Sequence, residues 1–250
     1  MSTFQPDEFV ELERTFRDLS VDAKAGDDGE LRSTLFGGEP IGWSQLLAEY
    51  RVVLLAEAGA GKTEEIRAAA KRLRHEGRSA FFLRIEHIAG HLEDAFEVGD
   101  AEEFRVWLAS GEEGWLLLDS VDEARLGSPK DFELAVRTLS RRIRDAMQRA
   151  HIIITGRTTA WRPKTDLQLC RSVFPYDPQQ VLVSSEEEGP GRQRKEGKDN
   201  AATKPFRIVA LDDLGEAQIK RFLLARGVED AAAFLHAVER ADAWTFTTRP

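Results

Sequence analysis

RVVLLAEAGAGKTEE, residues 51–65, runs an apolar strand into a glycine-rich bend, a lysine, a threonine and then helix formers. A strand that ends in such a bend and re-enters a helix can wrap main-chain N–H groups around an anion, and the helix dipole adds favourable potential. The spacing needs a lysine and a hydroxyl residue directly after the last glycine. Gly61, Lys62 and Thr63 supply it. The expected polyphosphate-binding residues are therefore Ala58, Gly59, Ala60, Gly61, Lys62, Thr63 and Glu64. Lys62 pairs with the β- and γ-phosphates as a point charge, Thr63 offers its hydroxyl to Mg2+, and the glycines let the backbone approach closely. Glu64 and Glu65 fall in the first helical turn, where acids suit the dipole. Ala56 stands where such a loop usually begins with glycine; a methyl group is tolerable there unless the position needs a positive φ. The plainer alternative is a turn that only joins strand to helix.

A second stretch, WLLLDSVDEA at 115–124, delivers Asp119 to the carboxyl end of an apolar strand, the edge at which open α/β sheets bind ligands. Asp119 can hold Mg2+ directly or through a water. Asp122 and Glu123 follow within reach of a nucleophilic water, so that either can orient it or accept its proton. A third stretch, HIIITGRTTAW from 151, brings Thr155 and Arg157 to the same edge. There Arg157 can sense a γ-phosphate or stabilise transition-state charge, or it is a surface arginine at a strand end. Trp161 either covers a base or packs, and packing is the simpler expectation.

Around these motifs, apolar strands alternate with helices: strands at 51–55, 79–85, 114–120, 151–155 and 206–211, with helices near 62–75, 101–109 and 130–149. Near-continuous apolar strands separated by helices indicate a mainly parallel, five-stranded sheet covered on both faces, an α/β/α sandwich. A short helix is expected within 40–50. Residues 1–40 read as an N-terminal helical appendage, with Phe9, Val10, Leu12, Phe16 and Leu19 at near-helical spacing. The core is expected over 41–211, interrupted at 184–205 by a mobile insertion too polar to offset its ordering entropy. Two helical patterns, 214–227 and 229–246, follow the sheet.

Composition narrows the function classes. The chain has 250 residues, enough for one full core, with 42% hydrophobic and 32% charged residues. No apolar run approaches the roughly 18 residues of a membrane span. The start lacks a basic n-region followed by an apolar stretch, so a cytoplasmic protein is expected. A lone cysteine, Cys170, reads as a core or loop residue. The net charge of −9 argues against direct nucleic-acid binding. The basic run RRIRDAMQR at 141–149 reads as a solvated helix face. The histidines show no zinc-ligand spacing, and no serine lies in a GxSxG elbow.

Together, AEAGAGKTEE, WLLLDSVDEA and IIITGR, in that order and spacing, resemble the NACHT-type branch of the STAND class of P-loop ATPases, relatives of AAA+ proteins. The resemblance covers about 41–250, and the DxxDE acidic motif is its most specific part. It implies a P-loop NTPase sheet of order 5-1-4-3-2, with ATP/ADP and Mg2+ as ligands. Residues 212–250 then look like the start of a small helical lid over the adenine, with Pro250 as a nucleotide contact. It further implies self-association on activation and a trigger acting through a C-terminal sensor, so the chain reads as a fragment of a longer protein. Bacterial relatives commonly serve in antiphage defence. Ala56, and Ser120 where glycine is usual, depart from the pattern. The expectation is a slowly hydrolysing Mg-ATP switch. The alternatives are a nucleotide-binding scaffold without turnover, a small-molecule kinase, and an interaction scaffold built on the N-terminal segment and the insertion.

Overall fold

The computed structural model describes residues 9–22, 30–33, 39–125, 128, 130–178, 206–243 and 248. The stretch 184–205 and Pro250 lie outside them. Strands β1 (Thr15–Asp22), β2 (Glu30–Ser33) and β3 (Ile41–Gly42) precede helix α1 (Trp43–Leu47). Then come β4 (Arg51–Ala56), α2 (Lys62–His75), β5 (Ser79–Arg84), the single turn α3 (Ile85–Ile88), β6 (Phe96–Val98), α4 (Ala101–Ala109) and β7 (Gly114–Asp119). The described residues continue through α5 (Val121–Ala124), α6 (Asp131–Arg142), β8 (Ala150–Arg157), α7 (Thr165–Val173), β9 (Arg207–Leu211), α8 (Glu216–Ala225) and α9 (Ala231–Arg240).

Among the described residues the strands form one mixed nine-stranded sheet in the order β2-β1-β9-β4-β8-β7-β5-β6, with β3 paired to β1. It is larger than the expected five strands, and its full order differs accordingly. The five strands read from the sequence lie side by side in its middle as β9-β4-β8-β7-β5, joined by parallel ladders. β6 adds an antiparallel strand at one edge, and β1 with its partners extends the other.

The N-terminal helical appendage is the main correction. Thr15–Asp22 is a strand, paired antiparallel to β9 with Phe16 opposite Leu211. Leu12, Arg14 and Phe16 are buried while Glu11, Glu13 and Arg17 are exposed, a period of two that runs through the segment before the strand into its start. An arginine at one inward position hides that alternation from a reading of apolar residues alone. The pairing also covers what would otherwise be the open edge of β9.

Helices cover both faces. Alternate residues of β4 feed two separate cores: Val53 and Leu55 pack with α6 and α7 residues such as Val136 and Leu167, while Val52 and Leu54 pack with α1 and α2 through Leu46 and Ile66. Burial on both sides is why these strands carry no polar alternation. Ile152, Ile153 and Ile154 in β8 are all fully buried, each contributing roughly 1.5–3 kcal/mol. Cys170 is buried in the first of these cores. Among the described residues no helix is long and apolar enough to cross a membrane.

Candidate functional site

Parallel pairing in register brings three strand ends together. Leu54 lies opposite Thr155 and Ala56 opposite Arg157, while Leu118 lies opposite Ile154. The bend after β4, the acid that ends β7 and the end of β8 therefore share one edge of the sheet.

The bend turns through Gly59 at φ 75 and Gly61 at φ 79, the left-handed region that side chains disfavour. A Cβ on Gly59 would meet nothing within 4 Å, so the requirement at that position is backbone conformation and not space. Ala56 closes β4 and, among the described residues, is not one of the non-glycine positions with positive φ, which accounts for the tolerated methyl group. Gly61 is the N-cap of α2 and offers no side-chain cap to the helix's first N–H groups. Those donors face the bend and suit an anion.

Asp119 is fully buried at the centre. Its Oδ2 accepts a hydrogen bond from the Thr63 hydroxyl at 2.7 Å, and its Oδ1 accepts one from the Thr155 hydroxyl. The Lys62 ammonium lies 3.6 Å from Asp119 Oδ1 and 3.9 Å from Asp122 Oδ1. Asp122 is held in turn by Arg157, whose Nε is 2.7 Å from Oδ2 and whose main-chain N–H donates to Oδ1 at 3.3 Å. Arg84, at the end of β5, donates to Glu123 Oε2 at 2.9 Å. A cleft of about 310 Å3 opens over these groups, lined by residues 57–64 with Ser120, Asp122, Glu123 and Arg157. A larger hollow of about 710 Å3 runs between α1, α2 and the N-terminal segment. Its rim arginines Arg72 and Arg78 already face Glu11 and Glu76, so the smaller cleft holds the concentrated chemistry.

The structure thus gathers Ala58, Gly59, Ala60, Gly61, Lys62, Thr63, Glu64, Asp122, Glu123 and Arg157 around one cleft, with Asp119 beneath it. Trp161 packs in the core, edge-on to Phe132, as the simpler expectation had it, and one other expectation changes. Glu65 does more than face the dipole, since it is buried and accepts from the Trp43 indole at 2.9 Å, and burial pushes its carboxyl upward. Sequence reasoning missed two arginines. Arg84 anchors Glu123, and Arg14 donates to the carbonyl of Ala60 at 3.1 Å from behind the bend. Both contacts span too many residues to leave a local spacing signal.

Ser120 holds φ 74 and ψ 66, so the left-handed slot that glycine would fill is present and a serine occupies it. The strain is about 1–2 kcal/mol. Ser120→Gly is accordingly expected to raise the unfolding free energy by about 1 kcal/mol in urea melts, net of the added unfolded-state freedom. A lowered midpoint would mean that the serine side chain stabilises the turn. No protein-family model matches the chain, and a search of curated proteins finds no similar one.

Proposed function

We propose that this chain binds a magnesium nucleoside triphosphate at the 57–63 bend and works as a slowly hydrolysing switch. One observation carries the reading: the hydroxyl that follows the bend's lysine donates, at 2.7 Å, to a fully buried carboxylate from another strand. Beside the pair stands a lysine whose side chain is only 10% exposed, the positive charge that a polyphosphate requires. Thr63 and Asp119 offer hard oxygen donors, which fits Mg2+, an ion that fills its remaining positions with water and phosphate oxygens. When bound, the ion would neutralise negative charge on the phosphates.

The chain's own residues divide the remaining work. The amides of Gly59, Gly61, Lys62 and Thr63 hold phosphate oxygens, and the Lys62 ammonium pairs with the outermost of them. Asp122 or Glu123 orients a water or takes its proton. Arg157, half exposed and paired with Asp122, stabilises developing charge. The choice of ATP, self-association and a signalling or antiphage role are carried by the motif resemblance alone. Titration calorimetry of the full chain with Mg-ATP, alongside a phosphate-release assay, tests the reading. One saturable site with slow release is expected, and the absence of binding would overturn it.

A second reading, nucleotide held without turnover, is favoured by one specific observation. Both candidate bases are engaged by arginines, Asp122 by Arg157 and Glu123 by Arg84. Saturable binding with no phosphate release would select it.

A further inference from the structure

Behind the bend, on the side away from the cleft, lies a cation that the nucleotide reading does not use. Arg14 is only 2% exposed. One terminal nitrogen donates to Ala60 O at 3.1 Å, the other to Asp212 O at 2.6 Å, and its Nε is buried without a partner among the described residues. A guanidinium is costly to bury, and hydrogen bonds to two carbonyl oxygens offset only part of that cost. Burial pulls the Arg14 pKa down, against the pull of Glu65, Asp213 and Asp212. Just before it the backbone turns left-handed at Glu13, φ 50, a strained conformation for a residue with a side chain. Strain and a buried charge at adjacent positions mark a contact that the rest of the fold maintains.

The same short segment carries the first helix after the sheet. Gln218 of α8 donates to Leu12 O at 2.8 Å and to Glu13 O at 3.1 Å, and Arg221 donates to Glu11 O at 3.2 Å. Leu12 packs in a small separate core with Leu214, Ile219 and Leu235, the last from α9. Thr15 closes the arrangement, donating to Asp212 Oδ2 at 2.8 Å. One strap therefore touches the bend through Arg14, the end of β9 through Asp212, and α8 through its own main chain.

We infer that Arg14 is a positioning residue that couples the phosphate-binding bend to the α8–α9 pair. The inference rests on the nucleotide reading above. For the amides around Gly59 and Gly61 to face an anion, the carbonyl of Ala60 between them must turn away from it. Arg14 receives that carbonyl and holds the orientation. By reciprocity, an anion that fixes the bend also fixes Arg14, seats the strap and steadies α8.

Amide hydrogen exchange on the full chain, with and without Mg-ATP, tests the coupling, with Mg-ATP affinity measured by calorimetry for wild type, Arg14→Lys and Arg14→Gln. In wild type, Mg-ATP is expected to slow exchange in residues 11–17 and 216–225 as well as in the bend. Arg14→Gln is expected to bind Mg-ATP about tenfold more weakly and to lose the response in 216–225 while keeping it in the bend. Arg14→Lys, which retains the charge and a single donor group, is expected to fall between. A purely structural arginine would lower the melting temperature without separating the two responses. Unchanged affinity with an intact 216–225 response in Arg14→Gln would overturn the inference. So would a wild type that binds Mg-ATP with no change in 216–225, a result that holds even where the variants fail to fold. A wild type that binds no Mg-ATP at all overturns the nucleotide reading itself, and the two failures are thereby distinguished.

Discussion

Lys62→Ala is expected to lower the affinity for Mg-ATP by about a hundredfold or more in titration calorimetry, because removing one partner of a desolvated charge contact costs about 2–5 kcal/mol. Two losses add. The ammonium that would meet the outer phosphates disappears, and the acids it offsets stay behind. Lys62 stands 3.6 Å from Asp119 and 3.9 Å from Asp122, with the Asp119 side chain fully buried. Without the lysine, Asp122 keeps Arg157 but the buried Asp119 loses its cationic neighbour, and the cleft becomes one charge more repulsive to polyphosphate. Asp119 keeps its hydrogen bonds from Thr63 and Thr155, so the fold is expected to persist, with a lowered melting temperature as the sign of the buried charge. Retained affinity in a folded Lys62→Ala protein would remove the bend from the account.

Asp122→Asn separates turnover from binding. The substitution keeps the shape and an oxygen for the Arg157 main-chain N–H, but removes the charge that pairs with the Arg157 side chain at 2.7 Å. A positioned base typically contributes 10²–10⁴-fold, so phosphate release is expected to fall by roughly that factor while Mg-ATP affinity stays within a few fold. If Glu123 is the base instead, Asp122→Asn leaves most of the release, and Glu123→Gln removes it. The Arg84 contact to Glu123 then becomes the restraint that must open during turnover. A chain in which neither substitution changes a measurable release would contradict a role for both acids.

The features legible in the sequence were those whose information is local. The glycine spacing, the lysine and threonine after it and the apolar run that ends in Asp119 each lie within one short segment. Parallel strands buried on both faces also announce themselves as unbroken apolar stretches, as at β4, β7 and β8. Strand β1 is not legible, because the buried positions that lead into it, Leu12, Arg14 and Phe16, include an arginine, which breaks the apolar period. β6 is three residues long and α3 four, below the length at which periodicity carries information. α7 does leave a trace, since Leu167, Cys170 and Val173 repeat at helical spacing on its buried face. In the site, the oxygens around Asp119 were foreseeable from sheet-edge logic. The arginine partners were not, since Arg84 meets Glu123 and Arg14 meets Ala60 only through the sheet order. Ser120 was visible as an unusual residue, but its left-handed conformation was not.

The central claim is that main-chain amides and Lys62 cradle a polyphosphate above the Thr63–Asp119 pair. Mass spectrometry of the small molecules released when the purified chain is denatured, after incubation with Mg-ATP and gel filtration, tests it most directly, with Lys62→Ala treated in parallel. Adenine nucleotide is expected in near-equimolar amount from the wild type and is expected to be lost from the variant. Equal nucleotide from both proteins, or none from either, would contradict it.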